Sequence, residues 1–367
     1  MDISNLNELD FGKLLDREVI VLHTQESYTL LKRQTILVTG AAGSIGSELC
    51  RQLLNYDPLL VIGLDTNETG LFDLAESLHS HPNGKNFLPY IGDITDVIGI
   101  KHLLRTRHPD IIFHAAAYKH VPLLEQYPAQ AVRTNALATY SLCLLAQEHG
   151  VERFTFVSTD KAVAPTSVMG ATKRICELIV QALARTNQGP TCFCAVRFGN
   201  VIGSRGSVVP IFANQIRNGG PITITDSEAS RYFMTIPEAC GLVLLATTYA
   251  ESGHIYLLDM GKPVRIVDLA HRMLRYQHLK AGRDIEIVYM GLRPGERLHE
   301  MLVAEDEELI STGHHKISSI ICKSEVPGLL MLGQWMRELD NSLLNGDDAR
   351  LRALVFAYIN QPDLIVA

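Results

Sequence analysis

The stretch STDKAVAPTSVMGATK (158–173) sets a hydroxyl, a carboxylate and an amine side by side, as Thr159, Asp160 and Lys161, straight after the apolar run RFTFVS (153–158). If that run is a strand of an open parallel sheet, the cluster leaves its C-terminal end, where such sheets bind their ligands. Pro165 is expected to restart a helix, on which Met169 and Lys173 lie four apart and share a face. A thioether exchanges no proton, so Met169 adds surface and not acid–base chemistry. A methionine and a lysine at this spacing mean little alone, because helical lysines mostly solvate themselves. Their weight comes from the rest of the chain.

Upstream, VTGAAGSIGSEL places Gly40, Gly43 and Gly46 directly after a first strand and at the opening of a helix. In that setting the first glycine permits a tight turn and the second lets backbone approach a pyrophosphate. The third allows close helix packing, and the helix N-terminus faces the anion. Ser44 and Ile45, between the second and third glycines, belong to the same expected dinucleotide site. Asp65 ends the second strand, 19 residues after Gly46, where a carboxylate accepts from adenosine ribose hydroxyls and repels a 2′-phosphate; NAD is therefore favoured over NADP. Asp93, ending the third strand, is a candidate for the adenine amino group or a simple helix cap. HAAA (114–117) offers small residues, Ala115 among them, that let backbone run beneath a cofactor, whereas His114 reads as a satisfied interior histidine.

The elements that must position these residues are legible as an alternation. Short β-rich runs TILVT (35–39), LLVIGL (59–64), NFLPYI (86–91), DIIFHA (110–115), RFTFVS and TCFCAVR (191–197) are separated by segments of helical spacing such as SIGSELCRQLLN and PAQAVRTNALATYSLCLLAQEHG. This predicts right-handed βαβ units on a parallel sheet buried on both faces, an α/β fold of doubly wound, Rossmann type. The expected organisation is a lead-in segment 1–33, a dinucleotide-binding domain 34–200, a smaller substrate lobe 201–325 interleaved with it, and a helical segment 326–367 ending in an amphipathic helix over 329–344. Of 367 residues, 47% are hydrophobic and 20% charged, enough for a large core. A net charge of −7 lacks the basic footprint of a nucleic-acid binder, so any anion site is local. Seven cysteines without a secretory signal favour a reducing cytoplasm, and Cys192 and Cys194 read as packing rather than metal ligands. No apolar run reaches the ~20 residues of a membrane span.

With these segments in place the chain resembles the extended short-chain dehydrogenase/reductase superfamily. Within it the chain is similar to the nucleotide-sugar 4,6-dehydratases of bacterial polysaccharide and glycan assembly. The resemblance rests on VTGAAGSIGSELCRQLL, FHAAAYKHVPLLE, STDKAVAPTSVMGATK, VRFGNVIGSRGSVVPIFANQI, ITDSEASRYFMTIPEA and GLRPGERLHEMLV. One branch of that family carries methionine where others carry tyrosine, as Met169 does here, and typically acts on UDP-N-acetylglucosamine with NAD. Ala164 and Ser167 depart from the pattern, in which asparagine is common.

The resemblance implies a redox-neutral reaction: C4 oxidation, loss of water across C5–C6, and hydride return to C6. It implies Asp160 as acid for the departing hydroxyl and Lys161 as C5 base, which requires a neutral amine and hence a pKa lowered by burial or a neighbouring cation. Thr159 is placed at the sugar O4, and Lys173 near the nicotinamide ribose. The O4 proton leaves through Thr159, Asp160 or water. Asn200 and Ser207 are implied in a loop over the nucleotide diphosphate. Arg231 and Arg293 are implied as pyrophosphate ligands by virtue of the guanidinium fork, Glu296 at the uridine ribose, and Lys119 and His120 along the sugar pocket. A homo-oligomer is expected through helices near 122–149 and 166–187. A nucleotide-sugar epimerase and a non-catalytic NAD-binding scaffold are the alternatives.

Overall fold

The computed structural model describes residues 11–15, 22, 24–186 and 189–360. Most of the lead-in segment (1–10, 16–21 and 23) lies outside the described residues. The strands Thr35–Thr39 (β1), Leu60–Asp65 (β2), Phe87–Ile91 (β3), Ile111–His114 (β4), Arg153–Val157 (β5) and Cys192–Arg197 (β6) stand where the apolar runs place them. Between them run helices Ser44–Leu53 (α1), Glu68–Leu78 (α2), Val97–Arg107 (α3), Ala138–Glu148 (α4) and Val168–Thr186 (α5). The parallel strands pair in the order β3-β2-β1-β4-β5-β6, so the order reverses between β1 and β4 and opens a crevice at their C-terminal ends.

The sheet does not stop at residue 200. Ile255–Leu258 (β11) adds in parallel beside β6, and Glu307–Ser311 (β14) with Ile317–Cys322 (β15) completes nine strands in antiparallel fashion. The smaller lobe is built from three two-stranded sheets. These pair Asn200–Ile202 (β7) with Phe233–Thr235 (β10), Ser230–Arg231 (β9) with Val264–Arg265 (β12), and Ile222–Ile224 (β8) with Ile287–Tyr289 (β13). Helices Val208–Arg217 (α6) and Ile266–Tyr276 (α8) pack on them around a separate apolar core that includes Phe212, Phe233 and Met273. Helix Ile236–Thr248 (α7), opened by a capping box between Thr235 and Glu238, lies against α1 instead.

Two expectations need correction. The helix beyond Pro165 begins only at Val168, where Glu125 Oε1 accepts the Val168 N–H at 2.7 Å. More consequentially, α5 offers no face to a second copy of the chain. Only Arg185 among its described residues is exposed, because helices Leu329–Leu344 (α9) and Asp348–Asn360 (α10) cover its outer side. Trp335, Leu339, Leu351, Val355 and Tyr358 share one core with Ile175, Cys176 and Ile179 of α5. Trp335 stacks on Tyr358 at 4.5 Å. Among the described residues no helix is long and apolar enough to cross a membrane.

Candidate active site

A cleft of about 870 Å³ runs from the β1–α1 turn, past the end of β5, to the smaller lobe. Its walls hold Gly40, Gly43, Ser44, Ile45, Gly46 and Ala115 at one end, and Thr159, Lys161, Met169 and Lys173 in the middle. At the other end stand Lys119, His120, Asn200, Ser207, Arg231, Arg293 and Glu296. Three expected residues, Asp65, Asp93 and Asp160, stand outside those walls.

The glycine turn is a cradle that side chains would fill. A Cβ on Gly46 would come within 2.0 Å of the Gly40 carbonyl oxygen, and one on Gly40, at φ +71°, within 2.7 Å of the Ala116 nitrogen. Gly43 caps α1 without a side chain, which leaves the first N–H groups of the helix for an anion. These residues fit a dinucleotide pyrophosphate. Asp65 braces the turn: its Oδ2 accepts from Ala42 N and its Oδ1 from Asn67 N, both at 2.9 Å. A ribose would have to share those oxygens. Asp93 closes a local turn by accepting from Thr95 N at 2.8 Å. His114 is fully buried; its Nδ1 is 2.6 Å from Thr39 Oγ1 and its Nε2 2.8 Å from Thr139 Oγ1. Because the Thr139 hydroxyl donates to Asn135 O, it must accept from Nε2–H, which leaves Nδ1 as acceptor. Burial first, then the Lys173 charge, takes the His114 pKa down to about 3. This is the satisfied interior histidine expected.

At the end of β5, Thr159 Oγ1 donates to Asp160 Oδ1 at 2.9 Å, and Lys161 Nζ donates to the same oxygen at 3.0 Å and to Asn200 Oδ1 at 2.9 Å. Asp160 is turned inward and wholly buried, and its Oδ2 has no hydrogen-bond partner. It therefore meets the cleft through Thr159 and Lys161 rather than directly. The pKa of Lys161 does not fall as its expected role demands. Burial acts to lower it, but the Asp160 and Glu300 carboxylates outweigh burial and raise it. Lysine 119 does fall, through burial and then the Lys161 charge, and His120 likewise through burial and then Lys119. Lys173 is held by the Val157 carbonyl at 2.9 Å and lies 4.4 Å over the Phe156 ring; burial lowers its pKa to about 8. Met169, 3% exposed, is an apolar wall beside it.

On the lobe side, Asn200 Oδ1 accepts from Lys161 Nζ. Ser207 caps α6 with its Oγ unpartnered. The guanidinium fork expected of Arg231 is largely committed within the lobe, leaving one Nη2 hydrogen without a partner among these bonds. Its Nη1 donates to the carbonyls of Ser230 and Leu298 and its Nη2 to that of Arg297, while Nε faces Glu300 at 3.5 Å. Arg293 and Glu296 close a turn on each other, Glu296 N donating to Arg293 O at 3.0 Å. Arg205, exposed on the cleft rim, was not anticipated. Neither was Arg297, whose guanidinium holds the carbonyls of Val163 and Ala164 where Ala164 takes a left-handed φ of +38°. A third unanticipated residue is Asn135, on a π-helical turn over Val132–Leu137. Its amide bonds both Tyr118 N and O and the Thr172 hydroxyl, tying the 115–120 loop to α5. Behind the site, Arg197 is fully buried and makes four hydrogen bonds of 2.7–3.0 Å to Glu177 and Glu307. Glu177 also takes the Ser158 hydroxyl at 2.7 Å.

A family model described as "Polysaccharide biosynthesis protein" matches residues 36–322. The chain is 46% identical over 308 residues to the capsular polysaccharide biosynthesis protein CapD of Staphylococcus aureus, an alignment covering 84% of this chain and 51% of that one. It thus spans about half the length of that relative. Among solved structures it resembles Pen from Bacillus thuringiensis, at TM-score 0.73 and 31% identity, covering 82% of this chain and 90% of that one. It also resembles DesIV, a dTDP-glucose 4,6-dehydratase from Streptomyces venezuelae with NAD and TYD bound, at TM-score 0.64 and 25% identity over 73% of this chain and 88% of that one.

Proposed function

Because the chain belongs to the polysaccharide biosynthesis protein family, we propose that it is an NAD-dependent nucleotide-sugar 4,6-dehydratase whose substrate is UDP-N-acetylglucosamine. The observation that carries the reading is that Thr159 and Lys161, both bonded to the buried Asp160 behind them, stand on the wall of one cleft with the glycine cradle. The likeness to DesIV supports both the reaction class and the cofactor. When bound, NAD supplies a hydride acceptor at C4 and returns the hydride at C6.

The chain's own residues handle protons. Thr159 takes the O4 proton as it passes its own to Asp160, a route consistent with its 2.9 Å bond and with the inward turn of the carboxylate. Asp160 returns that proton through Thr159 to the C6 hydroxyl, which departs as water. Lys161, once neutral, removes the C5 proton and restores it after the hydride arrives. Met169 takes no proton and shapes the wall. Each well-placed acid or base is worth roughly 10²–10⁴-fold. Lys119, Arg205 and Arg293 give the substrate end cationic character that suits a nucleoside diphosphate.

The test is incubation of the protein with NAD and UDP-N-acetylglucosamine in D₂O, followed by proton NMR. A C6 methyl signal is expected, and its loss in Asp160→Asn and Lys161→Met. A C4 epimer without a methyl would place the chain with epimerases, and no turnover despite tight NAD binding would make it a scaffold.

A further inference from the structure

Glu300 stands on the cleft wall with its side chain 6% exposed, Oε1 3.6 Å from Lys161 Nζ and 3.5 Å from Arg231 Nε. A carboxylate so far withdrawn from water needs cations to offset its lost hydration. Of the two it faces, Arg231 is anchored to three backbone carbonyls and cannot follow a moving partner. Glu300 is therefore fixed from behind and turned toward the amine. An ammonium has three donors, and Lys161 spends two on Asp160 Oδ1 and Asn200 Oδ1, at 3.0 and 2.9 Å. A neutral amine would keep those two N–H bonds and carry its lone pair in the third position. That third position is the one Glu300 borders.

We propose that Glu300 is a positioning residue for Lys161: it holds the amine's third proton on the cleft side and so governs when the lone pair becomes available there. The inference rests on the reading of Lys161 as C5 base. The charged groups facing Lys161 are the carboxylates of Asp160 and Glu300 and the cations of Arg231 and Lys119. Removing Glu300's charge leaves one carboxylate against two cations, so the ammonium should lose its proton more easily.

The full chain labelled with ¹⁵N-lysine, with Lys161→Gln to assign the signal, permits the titration of Lys161 to be followed directly. In Glu300→Gln its midpoint should drop by about one pH unit or more. In Glu300→Asp, which keeps the charge but retracts it by a methylene, the drop should be smaller. With UDP-N-acetylglucosamine in D₂O, the acid limb of the kcat profile should move the same way, while KM changes less than kcat. A Lys161 titration in Glu300→Gln that coincides with the wild type overturns the proposal; should that variant not fold, the same result in Glu300→Asp does so. If the titration moves but Lys161→Gln still exchanges the C5 proton, the positioning role stands and the base assignment falls.

Discussion

Replacing Arg197 by methionine removes the cation from a buried cluster that the active strand leans on. The guanidinium is fully buried and bonds Glu177 through Nε and Nη2 and Glu307 through Nη1 and Nη2. Without it, two buried carboxylates share only Arg174, at 3.0 Å from Glu177 and 3.7 Å from Glu307. Breaking a buried pair by deleting one partner costs about 3–5 kcal/mol, because a charge is left uncompensated. With an unfolding entropy of ~2.1 cal/mol/K per residue, 367 residues give about 0.8 kcal/mol/K, so Tm should fall by roughly 4 to 6 °C. The deficit should depend on pH. Burial pushes the Glu177 pKa up, but Arg197 more than reverses this and holds it below 4.5. In the wild type that stabilisation is present above 4.5 and lost as pH falls through the lower folded value, so the gap between the proteins should be widest at neutral pH and narrow in acid. Calorimetry from pH 3 to 8 reads both effects. A fall below about 1 °C at neutral pH, or a gap that does not vary with pH, would refute the reasoning. Because Glu177 also holds the Ser158 hydroxyl, next to Thr159, turnover should fall as well.

Gly46→Ala should abolish NAD binding measured by calorimetric titration, since its Cβ would lie 2.0 Å from the Gly40 carbonyl oxygen and the turn must open. Ala164→Gly should raise stability by about 0.5–1 kcal/mol in denaturant melts, because a left-handed φ of +38° burdens any residue with a Cβ. His114 should stay neutral with its proton on Nε2, visible in its ¹⁵N shifts. Its folded pKa of about 3 lies below the ordinary 6.5, so stability should decline as pH falls from 6.5 toward 3, by at most ~1.4 kcal/mol per pH unit. His114→Gln should remove that component.

The sheet was legible because strands buried on both faces read as unbroken apolar runs. Thr35–Thr39 and Ile111–His114 carry that pattern plainly, and Leu329–Leu344 carries a helical one. The glycine turn was legible because its spacing encodes close backbone approach. What stayed hidden depends on residues distant in sequence. No local pattern says that Asp160 turns inward, since that depends on Gly199 leaving room beside its Oδ2. Arg231 looks like any phosphate fork until the 297–298 backbone arrives to occupy it. Glu300 lies 139 residues from Lys161 and gains meaning only through that meeting. Asn135 sits in what reads as a continuous helix, and its π turn is set by the contacts it makes with Tyr118 and Thr172.

The enclosure of α5 by α9 and α10 joins the far end of the chain to its chemistry. Glu125, which caps the first turn of α5, is paired on its other oxygen with Arg352 of α10, so the helix bearing Met169 and Lys173 is gripped at its start as well as along its back. Proteolytic trimming within residues 329–360 would thus strip an apolar spine and loosen the floor of the cleft together, making resistance to nicking there a remote gauge of whether the proposed site is intact.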